Sequence, residues 1–249
     1  NDEIDIAHCH MTFTNFHGLG AAFFAGVKIR ISHAHLFNIQ EGSKVKRFIR
    51  NHLYSFLSNL VSTHYLAASE PAALDLFGKK RVKRKEVTLL KNAISQQRFE
   101  FSPEDRQYIK KKHNISNKEK VIGNIGRFVN QKNHKFVIDI FKELLKINSE
   151  YKLIIIGTGE LEKDIKKQIH SLNIDKKVVI VDPLQDIYKY YSSFDLFLFP
   201  SLYEGLGIVV IEAQANEVNI LASANVIPKE AKLTKAYHEL SLELTAKEW

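Results

Sequence analysis

Two glutamates, Glu204 and Glu212, flank a glycine-bearing turn in the stretch 199–213, which runs Phe-Pro-Ser-Leu-Tyr-Glu-Gly-Leu-Gly-Ile-Val-Val-Ile-Glu-Ala. A strand runs into a loop carrying Gly205 and Gly207, and the helix that follows opens with backbone N–H groups that have no partner inside the helix. Such groups meet anions, and glycine lets the backbone come close to one. Neither a G-x-x-x-x-G-K-[ST] nor a G-x-G-x-x-G pattern offers another way of holding phosphate. At a rise of about 1.5 Å per residue the two glutamate backbones stand roughly 12 Å apart along a helix axis. That spacing suits the two ends of one extended ligand. It suits glycoside hydrolysis less well, because the carboxyl groups then sit about 5–9.5 Å apart.

A second candidate is the loop Gly126-Arg127-Phe128-Val129-Asn130-Gln131-Lys132-Asn133-His134, which follows a strand and opens a helix. Cations are not favoured at a helix N-terminus, so Arg127 and Lys132 ask for an anion there. Gly157-Thr158-Gly159 makes a similar strand-to-helix turn, a signal that is weak when it stands alone. His8-Cys9-His10 suggests a metal, but alternation along a strand sends His8 and His10 to one face and Cys9 to the other, a poor chelate. No metal is expected.

The elements that must hold these residues alternate along the chain. Short β-rich runs at 5–9, 28–32, 65–68, 87–91, 121–125, 152–156, 178–181, 196–199 and 218–222 are separated by helical patterns. The helical patterns fall at 20–25, 43–62, 71–77, 103–112, 133–146, 161–172, 186–192, 207–215 and 228–233. This alternation predicts α/β architecture with parallel sheets covered by helices. Phe136, Ile140, Leu144 and Ile147 recur at helical spacing as a core stripe. The polar stretch 94–120 predicts a passage between two domains, with 1–100 in the first and 101–249 in the second.

A chain of 249 residues with 45% hydrophobic and 26% charged residues is ordinary globular material, long enough for two cores. Its lone cysteine excludes a disulfide framework and fits a reducing compartment, so a cytoplasmic location is expected. No apolar run approaches the length of a membrane span, and the opening Asn1-Asp2-Glu3-Ile4-Asp5 is acidic where a signal peptide is basic. A formal charge of +8 favours anionic partners. The run 79–85 reads as a solvated basic loop rather than a nucleic-acid patch, since no nucleic-acid module accompanies it. The helical pattern 43–62, with Lys44, Lys46, Arg47 and Arg50 at one end, fits either a core-packed helix or peripheral contact with an anionic membrane, on its inner face.

The run Glu204 to Glu212 is an E-x7-E motif, and with Phe199-Pro200-Ser201 before it and Ala213 after it the segment resembles the retaining GT-B glycosyltransferases of family 4. The resemblance extends over essentially the whole chain and is nearest to members that build capsular polysaccharide or exopolysaccharide. It implies two Rossmann-like domains facing across a cleft, an acceptor-side domain followed by a donor-binding one. The chain then begins inside the first domain and stops before a final helix. The implied reaction moves a hexosyl or N-acetylhexosaminyl unit from a nucleoside diphosphate sugar, UDP being the expected nucleotide, to a glycan or lipid-linked acceptor, without metal. By the same resemblance Arg127 and Lys132 hold the diphosphate, assisted by N–H groups near Leu206 and Gly207. Glu212 holds the ribose, Glu204 the donor sugar, and Gly126, Gly157, Gly159 and Gly205 line the nucleotide. His35, and less well His33, matches the histidine that the family brings to the sugar. Two alternatives share these features, a GT-B nucleotide-sugar 2-epimerase and an inactive nucleotide-binding remnant.

Overall fold

The computed structural model describes residues 4–35, 44–183 and 186–249, with side chains at all of these except 13 and 44–51. They divide into two compact units, 1–93 with 203–206, and 94–202 with 207–249.

In the first unit, strands β1 (Ile6–Cys9), β2 (Ile29–Ala34), β3 (His64–Ala67) and β4 (Val87–Leu89) form a parallel sheet in that order. Helices α1 (Asn15–Phe24), α2 (Lys44–Val61) and α3 (Glu70–Lys83) connect them. Ser69 caps α3 by accepting from the Ala72 N–H, and Pro71 sits in the first turn, where a missing N–H costs nothing. Ala34, Ala67, Ala72, Ala73, Leu76 and Phe77 make the core beside the sheet.

The basic run is not a loop. Gly78 interrupts α3 at φ 79° and ψ 160°, and residues 79–83 resume as helix. Arg81 lies over the Tyr65 ring at 4.2 Å and pairs with Glu86 at 2.7 Å, so part of the charge is already spoken for. Three of these cations occupy the last turn of α3, where the helix dipole favours them. On α2, Leu53, Phe56 and Leu60 are exposed at 47, 64 and 70%, so one face of the helix is uncovered, while Tyr54 packs on the core and Ser58 is buried on the other. The basic side chains at 44–50 lie outside the described residues.

The second unit is a six-stranded parallel sheet. Its strands are β5 (Lys120–Ile125), β6 (Tyr151–Ile156), β7 (Val178–Val181), β8 (Leu196–Phe199), β9 (Asn219–Ser223) and β10 (Tyr237–Leu240), in the order β10-β9-β8-β5-β6-β7. Helices α4 (Pro103–Lys112), α5 (His134–Ile147), α6 (Glu162–Ser171), α7 (Tyr188–Tyr191) and α8 (Ile208–Ala215) accompany it. Leu153 to Ile156 are all buried, as expected of a strand covered on both faces.

Three expectations need correction. The core stripe of α5 keeps Ile140 in the core with Phe136 and Leu144 packed against it and is broadened by the fully buried Val137, Ile138 and Phe141, but Ile147 is 82% exposed. The stretch 94–120 packs as part of the second unit: Asn216 donates to the Phe99 carbonyl at 2.9 Å, and Arg106 pairs with Asp195 at 2.9 Å. Finally, β10 had no counterpart among the expected strands, and the pattern at 228–233 shrinks to a single 3-10 turn, Lys229–Ala231. Among the described residues no helix is long and apolar enough to cross a membrane.

Candidate functional site

The order of the second sheet reverses at β5. The chain runs outward through β6 and β7, then returns to the opposite side of β5 to lay down β8, β9 and β10. Ligands of open parallel sheets bind at such a reversal, outside the carboxyl ends of the strands. Here the two strands also part. β5 pairs with β6 over six residues but with β8 only at Ile122–Leu196 and Gly123–Phe197. Beyond that point the buried Asn124 side chain bridges the gap, donating to the Leu198 carbonyl at 2.8 Å.

The loops leaving β5, β6 and β8 meet at this end of the sheet. Phe128 N–H donates to Thr158 O at 2.8 Å and Leu161 N–H to Phe128 O at 3.0 Å, joining the loop after β5 to the loop after β6. On the other side Leu202 N–H donates to Gln131 O at 2.8 Å, and the Asn133 side chain donates to Pro200 O at 3.1 Å. Asn133 adopts a left-handed conformation at φ 54°, turning the chain from the basic loop into α5. Gly126, Arg127, Lys132, Gly157 and Gly159 are thereby gathered at one end of one sheet. Arg127 is exposed, and the half-buried Lys132 places its Nζ 5.1 Å from the centre of the Phe199 ring.

Gly157 is needed for close approach, since a Cβ there would stand 2.0 Å from the Gly126 carbonyl oxygen. Gly207 is needed for its backbone. It caps α8 at φ 70° and ψ 56°, and a Cβ on it would meet Ile227 at 2.5 Å. The first turn of α8 carries no acidic side chain.

Glu212 lies one turn further along α8 and is held from α7, where the fully buried Tyr191 donates its hydroxyl to Oε2 at 2.5 Å. Burial pushes the Glu212 carboxyl above its usual range, and the Tyr191 hydroxyl and Arg98 oppose that shift. Burial, together with the carboxylate beside it, drives the Tyr191 hydroxyl well above the phenol range, so it remains a donor. Behind the basic loop, His134 is buried edge-on to Phe128, with ring centroids 4.9 Å apart. Burial, and then the Lys132 cation, lower its imidazole to about 4, and the Gly126 carbonyl opposes this only partly.

Glu204, Gly205 and Leu206 are buried and are counted with the first unit, as is His35. His35 does not stand alone. Its Nε2 is 2.8 Å from His10 Nδ1, and His33 Nδ1 is 3.3 Å from His8 Nε2. The alternation expected at His8-Cys9-His10 holds, but the neighbouring strand adds His33 and His35 to the same face, which local spacing could not reveal. Burial, followed by the charges of the neighbouring histidines, lowers His33 to about 4. The sequence reading also missed Tyr191, Asn124 and Asn133. An asparagine inside an apolar strand was the one signal available, for Asn124.

The sequence pattern of the family described as "Glycosyl transferases group 1" matches residues 105–232, half of the chain and most of the second unit. EpsF of Bacillus subtilis (strain 168) is 30% identical over 230 residues, covering 92% of this chain and 60% of that protein. The capsular polysaccharide biosynthesis glycosyltransferase CapM of Staphylococcus aureus is 28% identical over 211 residues, covering 83% of this chain and 55% of CapM. The chain thus spans a little over half the length of the relatives it matches. Among solved structures, Anabaena HepE in complex with UDP-glucose superposes with a TM-score of 0.80 at 18% identity, over 98% of this chain and 66% of that one. The fold is that of GT-B glycosyltransferase structures, α/β with two parallel sheets.

Proposed function

The chain belongs to the Glycosyl transferases group 1 family, and from that premise we propose that it is part of a retaining enzyme of surface polysaccharide biosynthesis. The enzyme transfers a hexosyl or N-acetylhexosaminyl unit from a nucleoside diphosphate sugar, with UDP as the nucleotide, to a glycan or lipid-linked acceptor. The observation that carries this reading is the parting of β5 and β8 at the reversal of strand order, where a loop with two cations follows β5 and is tied to the loop leaving β8.

In the reaction the bond between the anomeric carbon and the diphosphate oxygen breaks. The acceptor hydroxyl oxygen forms the new bond and passes its proton to the departing phosphate oxygen, on which negative charge develops as the nucleoside diphosphate leaves. Arg127 and Lys132, with N–H groups near Leu206 and Gly207, stabilise that charge as it develops, with no metal ion on the diphosphate. Gly126, Gly157, Gly159 and Gly205 let the backbone approach the nucleotide. Glu212, oriented by Tyr191, accepts from the ribose hydroxyls. Glu204 and His35 are assigned to the donor sugar by the family resemblance. CapM is named for capsular polysaccharide biosynthesis and HepE was solved with UDP-glucose, and both support this choice of pathway class and donor.

A peripheral contact with the inner face of an anionic membrane forms part of the proposal, at a cytoplasmic location. Phe24 and Phe23, exposed at 88 and 50%, and Phe56 and Leu60 give the first unit apolar side chains suited to a lipid interface.

Calorimetric titration with UDP, GDP and ADP, with and without EDTA, tests the donor assignment. UDP binding that survives EDTA and is lost in Arg127→Ala and Glu212→Ala is the expected result. Binding of none of the three nucleotides would overturn it and favour the remnant. With a full-length relative, interconversion of free nucleotide sugars in the absence of acceptor would favour the 2-epimerase.

A further inference from the structure

We propose that His8, His10 and His33 form a binding site for one late first-row divalent ion of the zinc, nickel or copper class. The site rests on strand pairing within the first unit. β1 and β2 run parallel with His8 opposite Ile31 and Cys9 opposite Ser32. Opposed residues share a face of the sheet, so positions 8, 10, 33 and 35 all project to one side. The ring centroids of His8 and His10 are 4.0 Å apart, those of His10 and His33 5.0 Å, and those of His8 and His33 5.3 Å.

Each of the three histidines offers one ring nitrogen, and the three nitrogens lie within 4.8 Å of one another. Nitrogens bound tetrahedrally to zinc at about 2.0–2.1 Å are roughly 3.4 Å apart. Small rotations of the exposed His8 and His10 rings bring the three nitrogens to that separation, with His33 offering its Nε2. A second observation points the same way. His33 is only 3% exposed, yet its Nε2 is buried without a hydrogen-bond partner among the described residues. A buried imidazole nitrogen left unsatisfied is costly, and a metal ion satisfies it.

The ligand set selects the ion. Three imidazoles without a carboxylate suit zinc, nickel and copper and do not suit magnesium or calcium, which take oxygen ligands. His10 Nδ1, 2.8 Å from His35 Nε2, is engaged outside the ligand set, which leaves His10 Nε2 for the ion, in the manner of partners that orient metal-binding histidines. His8 and His10 are exposed, which gives the ion a way in and leaves the fourth position to water or to an oxygen of a bound molecule.

The test uses the whole untagged chain, stripped with EDTA and dialysed. Cobalt is titrated in and its visible absorption recorded, and zinc is then added to displace it. One ion per chain is expected, with the intense absorption of four-coordinate cobalt, and affinity at least tenfold weaker in both His10→Ala and His33→Ala. His170→Ala, on an exposed helix of the second unit, should bind as the wild type does. Circular dichroism checks the fold of the His33 variant, and His10→Ala, altered at an exposed side chain, carries the test if that variant unfolds. Absence of binding, or binding unchanged by His10→Ala, would overturn the proposal. UDP titration of the same samples reads the donor site separately, so failure of one reading is not mistaken for failure of the other.

Discussion

Gly157→Ala places a methyl group where two strand ends come closest. The new Cβ would stand 2.0 Å from the Gly126 carbonyl oxygen, 2.9 Å from Phe128 Cε1 and 3.0 Å from the Gly126 carbonyl carbon. Carbon and oxygen in ordinary contact need about 3.3 Å, so the backbone must part by more than about 1 Å. The clash involves backbone, so no side-chain rotation relieves it. Three hydrogen bonds hold this corner: Gly126 N–H to Ile156 O at 3.0 Å, Gly157 N–H to Val181 O at 3.0 Å, and Phe128 N–H to Thr158 O at 2.8 Å. Overpacking costs about 1–3 kcal/mol, and loss of one or two such bonds costs about 1 kcal/mol each. The expected destabilisation of the second unit is therefore about 3–4 kcal/mol. Urea titrations of wild type and variant, followed by circular dichroism, measure it. Gly20→Ala supplies the contrast, since nothing lies within 4 Å of a Cβ at that site inside α1. It should stabilise the first unit by about 0.5–1 kcal/mol. A Gly157→Ala protein within about 1 kcal/mol of wild type that still binds UDP would refute the close-approach account of this corner.

Tyr191→Phe removes the hydroxyl that opposes the upward shift of Glu212, so Glu212 should protonate at higher pH. UDP binding should weaken roughly fivefold at pH 7, about 1 kcal/mol, and its acid limb should move to higher pH. Calorimetry across pH checks both, and an unmoved limb would count against the role of Tyr191. For His134, the folded imidazole titrates at about 4, below its ordinary value of 6.5, so the unfolded chain binds the proton first. Its contribution to stability is complete above about pH 6.5 and falls, by roughly 3 kcal/mol in all, as pH drops to 4. His134→Gln should flatten that slope in urea titrations at successive pH values, and parallel slopes would contradict the assignment. Phe24→Glu and Phe56→Glu should each lower co-sedimentation with phosphatidylserine vesicles severalfold, because each removes apolar area from an interface and adds a negative charge. Unchanged sedimentation would exclude the membrane contact.

Local chemistry made much of this protein legible. The apolar run Leu153 to Ile156 is buried on both faces and announced a covered parallel strand. The glycine turns at 126, 157 and 207 marked the strand-to-helix corners, and Ser69-Glu70-Pro71 and Ser102-Pro103 contain ordinary helix starts. What stayed hidden was hidden for physical reasons. β10 is a four-residue edge strand with two exposed polar residues, so it has almost no apolar alternation to display. The buried face of α5 is set by which residues meet the sheet, and Ile147 continues the helical period while standing in solvent. The pairing of Tyr191 with Glu212 and the gathering of His8, His10, His33 and His35 depend on packing and register between segments 20 or more residues apart. The sequence by itself determined the types of residue and their order along each element, because propensity, periodicity and turn chemistry act within a few residues. Only the tertiary structure decided which elements are neighbours, and with that the opening between β5 and β8 and the histidine face of the first sheet, because strand pairing and burial are properties of segments distant in sequence.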